Sequence, residues 1–290
     1  MKVAGDYTRI PVAAVIPVYN ERAEALAATL DACVRQTYPV AKVVVVDDGS
    51  AEPVVLPEWA RSSPEINLIR LPSNQGISAA RNTAIASCNT PLVACINTEV
   101  VPKPDWLATC ERYLSSHPSV GACYTRIVPK DPRRVLSQWR MRFLEAKCQE
   151  YSGPSIFAPG HAVLFRREAI NSVGGYDTHL RRIMEDSDIC ERMRNAGWET
   201  HYIAESGCIS TQKDSLADLC TKQLVRGGWT SPADYPLRGL IGVQCRALLM
   251  RVGRNLAKGR FLFLPIDFAI WGGSLWIAIP RYLRRGRSRP

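Results

Sequence analysis

Short, continuous apolar runs alternate along the first hundred residues with segments whose apolar positions recur every three or four residues. Four of the runs have the length and β-branched content of buried strands; they lie at 12–17, 43–46, 66–71 and 92–96. Segments 24–36 and 77–88 carry apolar residues at helical spacing. Buried strands alternating with amphipathic helices are typical of a mostly parallel sheet covered on both faces, so the pattern predicts an α/β fold.

The pattern continues to about residue 230, beyond a loop rich in glycine and proline at 152–161. Further helices are predicted at 105–115, 134–150 and 185–196, and further strands at 120–127, 162–165 and 201–203. We therefore expect one domain over 8–230 and a separate tail over 237–290.

Polar residues follow three of the predicted strands directly, at 19–21, 47–50 and 97–99. In parallel sheets, ligands bind at the carboxyl ends of the strands. Since all three clusters fall at such ends, the sequence predicts one binding edge. Taken alone, Asp47-Asp48-Gly49-Ser50 is equally typical of an Asx turn that caps the next segment.

Five motifs occur in a fixed order along this part of the chain. They are Pro17-Val18-Tyr19-Asn20-Glu21, Val46-Asp47-Asp48-Gly49-Ser50, Asn74-Gln75-Gly76 with Ala80-Arg81-Asn82, Gly174-Gly175-Tyr176-Asp177 and Glu185-Asp186-Ser187-Asp188. The ordered set resembles the family 2 glycosyltransferases of the GT-A fold, over roughly residues 10–230. The resemblance implies an inverting enzyme that moves a sugar from a UDP-, GDP- or TDP-sugar to a hydroxyl group.

The resemblance also implies which residues bind the donor. Asp48 would contact the base, and Tyr19 and Glu21 would line the base and ribose. Arg81 would face the diphosphate, for which a planar guanidinium is well suited. Pro17, in the first motif, and Asn97, directly after the predicted strand 92–96, are also expected on the donor side.

Asp186 matches the family's general base, which takes the proton of the acceptor hydroxyl during attack on the anomeric carbon. An acidic first helical turn that only stabilises the helix dipole is the alternative interpretation of 185–188. Glu185 and His161 are expected on the acceptor side, although a single histidine in a turn is more often structural.

The chain departs from the family at Asn97-Thr98-Glu99, where the family has a D-x-D that holds a divalent metal. Three explanations stay open. In the first, Glu99 holds a weakly bound Mg²⁺ or Mn²⁺ together with the diphosphate. In the second, the positive charge of Arg81, Lys222 or Arg226 replaces the metal, and the enzyme is metal-independent. In the third, the site binds the nucleotide sugar without catalysing its transfer. The stretch 208–212 also lacks the histidine that can complete the family's metal site.

Gln223-Leu224-Val225-Arg226-Gly227 resembles the Q-x-x-R-W signature of processive polysaccharide synthases, with glycine in place of tryptophan. We therefore expect a non-processive enzyme. Arg226 either faces the diphosphate or belongs to a surface helix with i, i+4 charges.

The chain has a net charge of +10, and eleven of its 37 lysines and arginines lie from Arg238 onward, with a single acidic residue, Asp267. The rest of the chain is balanced, which argues against a nucleic-acid partner. Basic residues interleaved with apolar ones over 237–258 predict an interfacial helix on an anionic membrane. The twenty-residue run 261–280 is long enough to span, but Asp267 and basic flanks favour a re-entrant or surface-lying pair of helices.

These features predict attachment to the cytoplasmic face of a membrane, where the acceptor would be a lipid-linked glycan or a precursor of cell-envelope polysaccharide. The ten cysteines are irregularly spaced, which indicates a reducing compartment. A catalytically silent nucleotide-sugar-binding or scaffolding protein is the main alternative, given Asn-Thr-Glu in place of D-x-D. A nucleotidyltransferase is a further one, against which stands the absence of a glycine-rich phosphate loop after the first strand.

Overall fold

The computed structural model describes residues 9–143, 151–180, 184–226 and 236–286. These residues divide into two compact units. The first unit covers 9–130, 151–180 and 184–212, and it contains all the described strands. The second unit covers 131–143, 213–226 and 236–286, and it is helical.

A mixed sheet of nine strands forms the first unit. The strands are β1 (Val12–Val18), β2 (Lys42–Asp47), β3 (Ile66–Arg70), β4 (Leu92–Ile96), β5 (Val100–Pro102), β6 (Val120–Pro129), β7 (Gly153–Pro154), β8 (Ala162–Arg166) and β9 (Glu199–Ser210). The order is β3-β2-β1-β4-β8-β6-β9-β5, and β7 pairs with β9. Strands β3, β2, β1 and β4 are mutually parallel, as predicted.

The second half of the sheet is joined through antiparallel pairs, since β8 runs antiparallel to both β4 and β6. Strand β6 is again parallel to β9, while the short strands β5 and β7 pair antiparallel with β9. Both short strands are absent from the sequence prediction. Two or three residues carry too little of a period-two pattern to be recognised.

Helices cover both faces of this sheet. They are α1 (Ala23–Val34), α2 (Glu58–Arg61), α3 (Ile77–Ala86), α4 (Trp106–Ser116), α6 (Arg167–Ser172) and α7 (Glu185–Asn195). The core includes the fully buried residues Val15, Val44, Ala84 and Cys95. Helices α1, α3, α4 and α7 were predicted, whereas the short α2 and α6 were not.

The second unit contains α5 (Val135–Phe143), α8 (Leu216–Arg226), α9 (Leu237–Ala257), a 3₁₀ turn (Phe261–Phe263) and α10 (Leu264–Gly286). Trp139, Leu219, Cys220, Phe263 and Ile270 form its main apolar cluster. The predicted domain limits, 8–230 and 237–290, divide the chain differently. Helices α5 and α8 group with the C-terminal helices because their apolar residues pack against α10.

Asp267 interrupts the apolar run of α10 and is fully buried. Its carboxylate accepts hydrogen bonds from Trp139 Nε1 at 2.8 Å and Asn255 Nδ2 at 2.7 Å, and it pairs with Arg251 Nε at 3.2 Å. The sequence pattern predicted that the basic residues of 237–258 face lipid headgroups. Arg251 instead lies inside the unit, because a buried carboxylate requires a cationic or hydrogen-bonding partner.

By length and composition, Phe261–Pro280 is apolar enough to cross a membrane, with a mean hydropathy of 1.7. Only 28% of that segment is buried inside the protein. The nine cysteines among the described residues are free thiols.

Candidate functional site

A cavity of about 420 Å³ lies where the loops after β1, β2 and β4 meet at the carboxyl edge of the sheet. Six of the eight residues predicted on the donor side line it. They are Pro17, Tyr19, Glu21, Asp48, Asn97 and Glu99. The three polar clusters of the sequence therefore share one cavity, because the parallel strands β2, β1 and β4 end side by side.

The two neighbouring aspartates after β2 have different environments. Asp47 is buried, and its carboxylate accepts hydrogen bonds from Ser50 N at 2.9 Å, from Val54 N at 3.2 Å and from the Arg70 guanidinium. Burial acts to raise the pKa of Asp47, but these hydrogen bonds outweigh it and hold the pKa below its ordinary value. Asp47 therefore forms the turn, and Asp48 lies in the cavity wall.

Asp48 also fixes the loop that precedes α3. Its Oδ1 accepts a hydrogen bond from Gln75 N at 2.7 Å, and its Oδ2 accepts from Gly76 N at 2.8 Å and Asn74 Nδ2 at 3.0 Å. An ionised carboxylate offers about four acceptor positions, so one remains for a ligand N–H or O–H. Gly76 has a φ of 98°, which L side chains rarely adopt.

The loop after β1 is tied to the loop after β2 through Asn20. Its N–H donates to Ser50 Oγ at 2.9 Å, and its Oδ1 accepts from Ala51 N at 2.9 Å. Asn20 has a φ of 53°, a conformation that asparagine tolerates better than most residues. Tyr19 is consequently held at the cavity with 47% of its surface exposed, so its ring face is available for stacking.

The lining of the cavity is acidic. Its described residues include the carboxylates of Glu21, Asp48 and Glu99 and no lysine or arginine. Partial desolvation and the nearby charge of Glu99 raise the pKa of Glu21, against the opposing effect of Arg22. Such a lining disfavours an anionic ligand on its own, because like charges repel strongly where water is partly excluded.

Glu99 is held by the end of β9. Its Oε1 accepts a hydrogen bond from Gln212 Nε2 at 3.2 Å, and its carbonyl accepts from Thr211 N at 2.8 Å. Gln212 thus contacts Glu99 from the stretch where the family can place a metal-binding histidine. Among the described residues, no group of three histidines, cysteines, aspartates or glutamates is arranged to hold a metal.

Arg81 does not lie on the surface of the cavity, although the resemblance implied that it faces the diphosphate. Its side chain is completely buried. The guanidinium donates to Glu185 Oε1 at 3.0 Å, Asn97 Oδ1 at 3.1 Å and the Gly160 carbonyl at 2.7 Å. Burial acts to lower its pKa, but Tyr176 and Glu185 outweigh burial and hold the pKa above its ordinary value.

The Arg81 guanidinium instead connects the cavity wall with the predicted base. Gly160 donates its N–H to Asp186 Oδ2 at 3.1 Å, while its carbonyl accepts from Arg81. Arg81 in turn holds Asn97, which lines the cavity. Asp186 is half-buried and is linked to the cavity through this chain of contacts, but it is not among the residues that line it.

The two residues expected on the acceptor side have structural contacts. The carboxylate of Glu185 is only 10% exposed and pairs with Arg81. His161 is half-buried, and its carbonyl accepts a hydrogen bond from Asn97 N at 2.8 Å. Met184, which precedes Glu185 at the start of α7, has a φ of 70°, a strained conformation of the kind that occurs at functional sites.

The two remaining cationic candidates belong to the helical unit. Lys222 Nζ pairs with Asp214 Oδ1 at 2.7 Å, so its charge already has a partner. Arg226 ends α8, and its side chain lies outside the described part of the chain.

Sequence reasoning missed Gly160. A Cβ at this position would lie 2.9 Å from Arg81 Nη2 and 3.4 Å from Asp186 Cβ, so any other residue would require the Arg81 guanidinium to shift. The Pro-Gly-His sequence indicated a turn, and nothing in it indicated a contact with Arg81. Gln212 was named only as part of a stretch without histidine, because its pairing with Glu99 depends on the position of β5 beside β9.

Known proteins resemble this chain in sequence and in fold. A pre-mycofactocin glycosyltransferase of Mycobacterium tuberculosis is 30% identical over 240 residues, which are 78% of this chain and 50% of that protein. An N-acetylglucosaminyl-diphospho-decaprenol L-rhamnosyltransferase of the same species is 25% identical over 158 residues, half of each chain. The chain thus spans about half the length of these curated relatives.

A mannosyltransferase from Pyrobaculum calidifontis, solved with GDP-Man and Mn²⁺, superposes with a TM-score of 0.60 at 21% identity. The match covers 93% of this chain and 88% of that one. This likeness shows the GT-A fold. Residues 13–174 match the sequence profile of Glycosyl transferase family 2, which is more than half of the chain. Three of its five motifs border one cavity, and the chain belongs to glycosyltransferase family 2.

Proposed function

We propose that the chain is an inverting, non-processive glycosyltransferase that uses a nucleoside diphosphate sugar as donor and a hydroxyl group as acceptor. The observation that carries this proposal is the arrangement of Asp48 and Glu99 on one cavity, with Asp186 connected to that cavity through Arg81 and Gly160.

Tyr19 and Asp48 are proposed to bind the nucleoside. The exposed ring of Tyr19 offers a face for stacking of a base, and Asp48 has acceptor capacity left for a base or ribose donor. The Asp48 carboxylate is already held by three hydrogen bonds, so little conformational entropy is lost when the donor binds. The donor is a UDP-, GDP- or TDP-sugar; the Pyrobaculum structure contains GDP-Man.

A divalent cation, Mg²⁺ or Mn²⁺, is proposed to accompany the diphosphate. The acidic lining fits a cation better than it fits a bare diphosphate. When bound, such an ion neutralises charge that develops on the leaving diphosphate. Glu99 would contribute one carboxylate ligand, and the donor diphosphate would supply others. The alternative of charge supplied by Arg81 or Lys222 is weaker, because both pair with carboxylates elsewhere.

Asp186 is proposed as the general base. The acceptor oxygen forms a bond to the anomeric carbon while its proton passes to the Asp186 carboxylate. The bond between that carbon and the diphosphate oxygen breaks, and the nucleoside diphosphate leaves on the opposite face. The contact of Gly160 N with Oδ2 fixes the carboxylate orientation, which general-base catalysis requires.

The acceptor is proposed to be lipid-linked, as a precursor of a glycan or cell-envelope polysaccharide. Two observations support it: the name of the rhamnosyltransferase relative contains a decaprenol-linked acceptor, and the C-terminal unit is basic and apolar. We extend the proposal to location at the cytoplasmic face of a membrane, attached through 237–290. The alternative of a catalytically silent binding or scaffolding protein is not supported, since these relatives are named as transferases.

Donor hydrolysis tests this proposal. Wild-type protein should release nucleoside diphosphate from its donor sugar faster with Mn²⁺ than with a chelator. The Asp186→Asn variant should bind the donor equally well but turn it over more than 100-fold more slowly. Equal inertness of both proteins, with nucleotide binding retained, would establish the silent binding protein instead.

A further inference from the structure

Helix α10 has two unlike faces. Asp267, Ile270, Ser274 and Ala278 follow one another at helical spacing and are all fully buried. On the opposite face, Phe268 is 54% exposed and Trp276 is 81% exposed. A single exposed apolar side chain is ordinary, but a contiguous patch of large ones marks a surface that contacts a partner or a membrane. The 3₁₀ turn before α10 continues the outward surface with the exposed Phe261 and Leu262.

Helix α9 combines apolar and basic residues on its outward side. Leu249 and Met250 are 69% and 65% exposed, and Arg246, Arg254 and Lys258 are exposed around them. The acidic counterpart is missing, since the described residues of α9 and α10 contain one carboxylate, Asp267, and it is buried. The outward surface of the pair therefore carries only positive charge, which is complementary to anionic lipid headgroups.

The contacts of Asp267 argue against a membrane crossing by α10. The carboxylate is bound to Trp139 of α5 and to Arg251 and Asn255 of α9. A membrane crossing by α10 would require either that Asp267 lose these contacts or that the contacting residues enter the bilayer with it. The first choice exposes an unpaired carboxylate to hydrocarbon. The second would bring Arg251 and the buried carboxylate together into the hydrocarbon, where charged groups are costly.

We infer that α9 and α10 lie in the plane of an anionic membrane as a peripheral helix pair, with Leu249, Met250, Phe261, Phe268 and Trp276 entering the interfacial region. This inference rests on the membrane attachment proposed above and decides its mode. Arg246, Arg254 and Lys258 reach the lipid phosphates, as basic side chains beside an inserted apolar face do. The Asp267 cluster remains inside the protein and holds the two helices together.

Vesicle sedimentation of the intact protein tests this inference. The protein should bind vesicles of phosphatidylcholine mixed with phosphatidylglycerol, and it should be released by high salt. The double variant Arg246→Gln/Arg254→Gln should lower the partition coefficient about 30-fold, from the usual contribution of a basic residue near a charged membrane. The control Arg35→Gln/Arg112→Gln removes the same charge from exposed sites on the sheet unit and should leave binding within twofold.

The apolar contribution has its own matched pair. Trp276→Ser should weaken binding more than tenfold, whereas Trp59→Ser, at a tryptophan 44% exposed on α2, should not. Equal binding to vesicles of pure phosphatidylcholine would overturn the inference. Resistance of the bound protein to an alkaline carbonate wash would also overturn it, because such resistance indicates a spanning helix. So would self-association of the protein without lipid, if Trp276→Ser abolishes it. Donor hydrolysis, measured in the same variants, should be unchanged. Its absence in wild type as well would refute the proposed function and leave the lipid result standing.

Discussion

Replacement of Arg81 by methionine tests the role that the structure gives to this residue. Its guanidinium is completely buried and pairs with Glu185, whose side chain is 10% exposed. Methionine keeps much of the volume but leaves the Glu185 carboxylate without its partner. Loss of one member of a buried ion pair typically costs about 3–5 kcal/mol of unfolding free energy. Two further hydrogen bonds, to Asn97 and Gly160, are lost as well, so we expect the upper part of that range.

Urea unfolding followed by circular dichroism measures this cost. Arg35→Met is the matched control, because Arg35 pairs with Asp31 at 2.6 Å but is 76% exposed. Its loss should change the unfolding free energy by less than about 1 kcal/mol. Adding Glu185→Gln to Arg81→Met should recover part of the loss, because the uncompensated charge is then gone. A cost below about 1 kcal/mol for Arg81→Met, equal to that of the control, would show that the buried pair does not hold this region together.

Three other sets of contacts, at Gly160, Asp47 and Asp267, can be tested by substitution. Gly160→Ala should lower kcat roughly 10–100-fold, because the added Cβ would displace Arg81 and thereby shift Asp186. Nucleotide affinity should stay within about threefold. An unchanged kcat in steady-state assays would contradict this prediction. The hydrogen bonds to Asp47 hold its pKa below the ordinary value of an aspartate, so its stabilisation is present above that ordinary value and is lost as pH falls through the lowered pKa. Acid unfolding of Asp47→Asn should therefore start from lower stability and fall less steeply in the acid range, and parallel curves for the two proteins would refute this. Asp267→Leu should be less destabilising when combined with Arg251→Met than alone, as chemical unfolding of the three variants would show; strictly additive effects would rule out the buried pair.

The strands of the parallel half and the cavity they border could be predicted from the sequence. Continuous runs such as 43–46 are recognisable because both faces of a parallel strand are buried, and the carboxyl ends of such strands meet by geometry alone. That is why Asp48 and Glu99 could be placed on one edge before the fold was known. Strand β8 had the right sequence pattern, but its antiparallel insertion between β4 and β6 depends on contacts distant in sequence.

The direction of individual charged side chains could not be predicted. Arg81 and Arg251 were expected to face a ligand and a membrane, and each turns inward toward a carboxylate more than ten residues away. Helical spacing fixes which residues share a face, but it does not determine which face is covered when the partner is a remote acid. Asp267 was noticed as an anomaly in an apolar run, and the structure gives its reason in the contacts with Trp139 and Asn255.

The proposed donor site is tested by equilibrium binding of nucleoside diphosphates to wild type and to Asp48→Ala, with and without Mn²⁺. We expect saturable binding of UDP, GDP or TDP that Mn²⁺ tightens and that Asp48→Ala weakens at least about tenfold. Replacement of Glu168, which is exposed and does not line the cavity, by alanine should have no effect. Binding that is indifferent to both Asp48 and the cation, or no binding of any of the three nucleotides, would contradict this expectation.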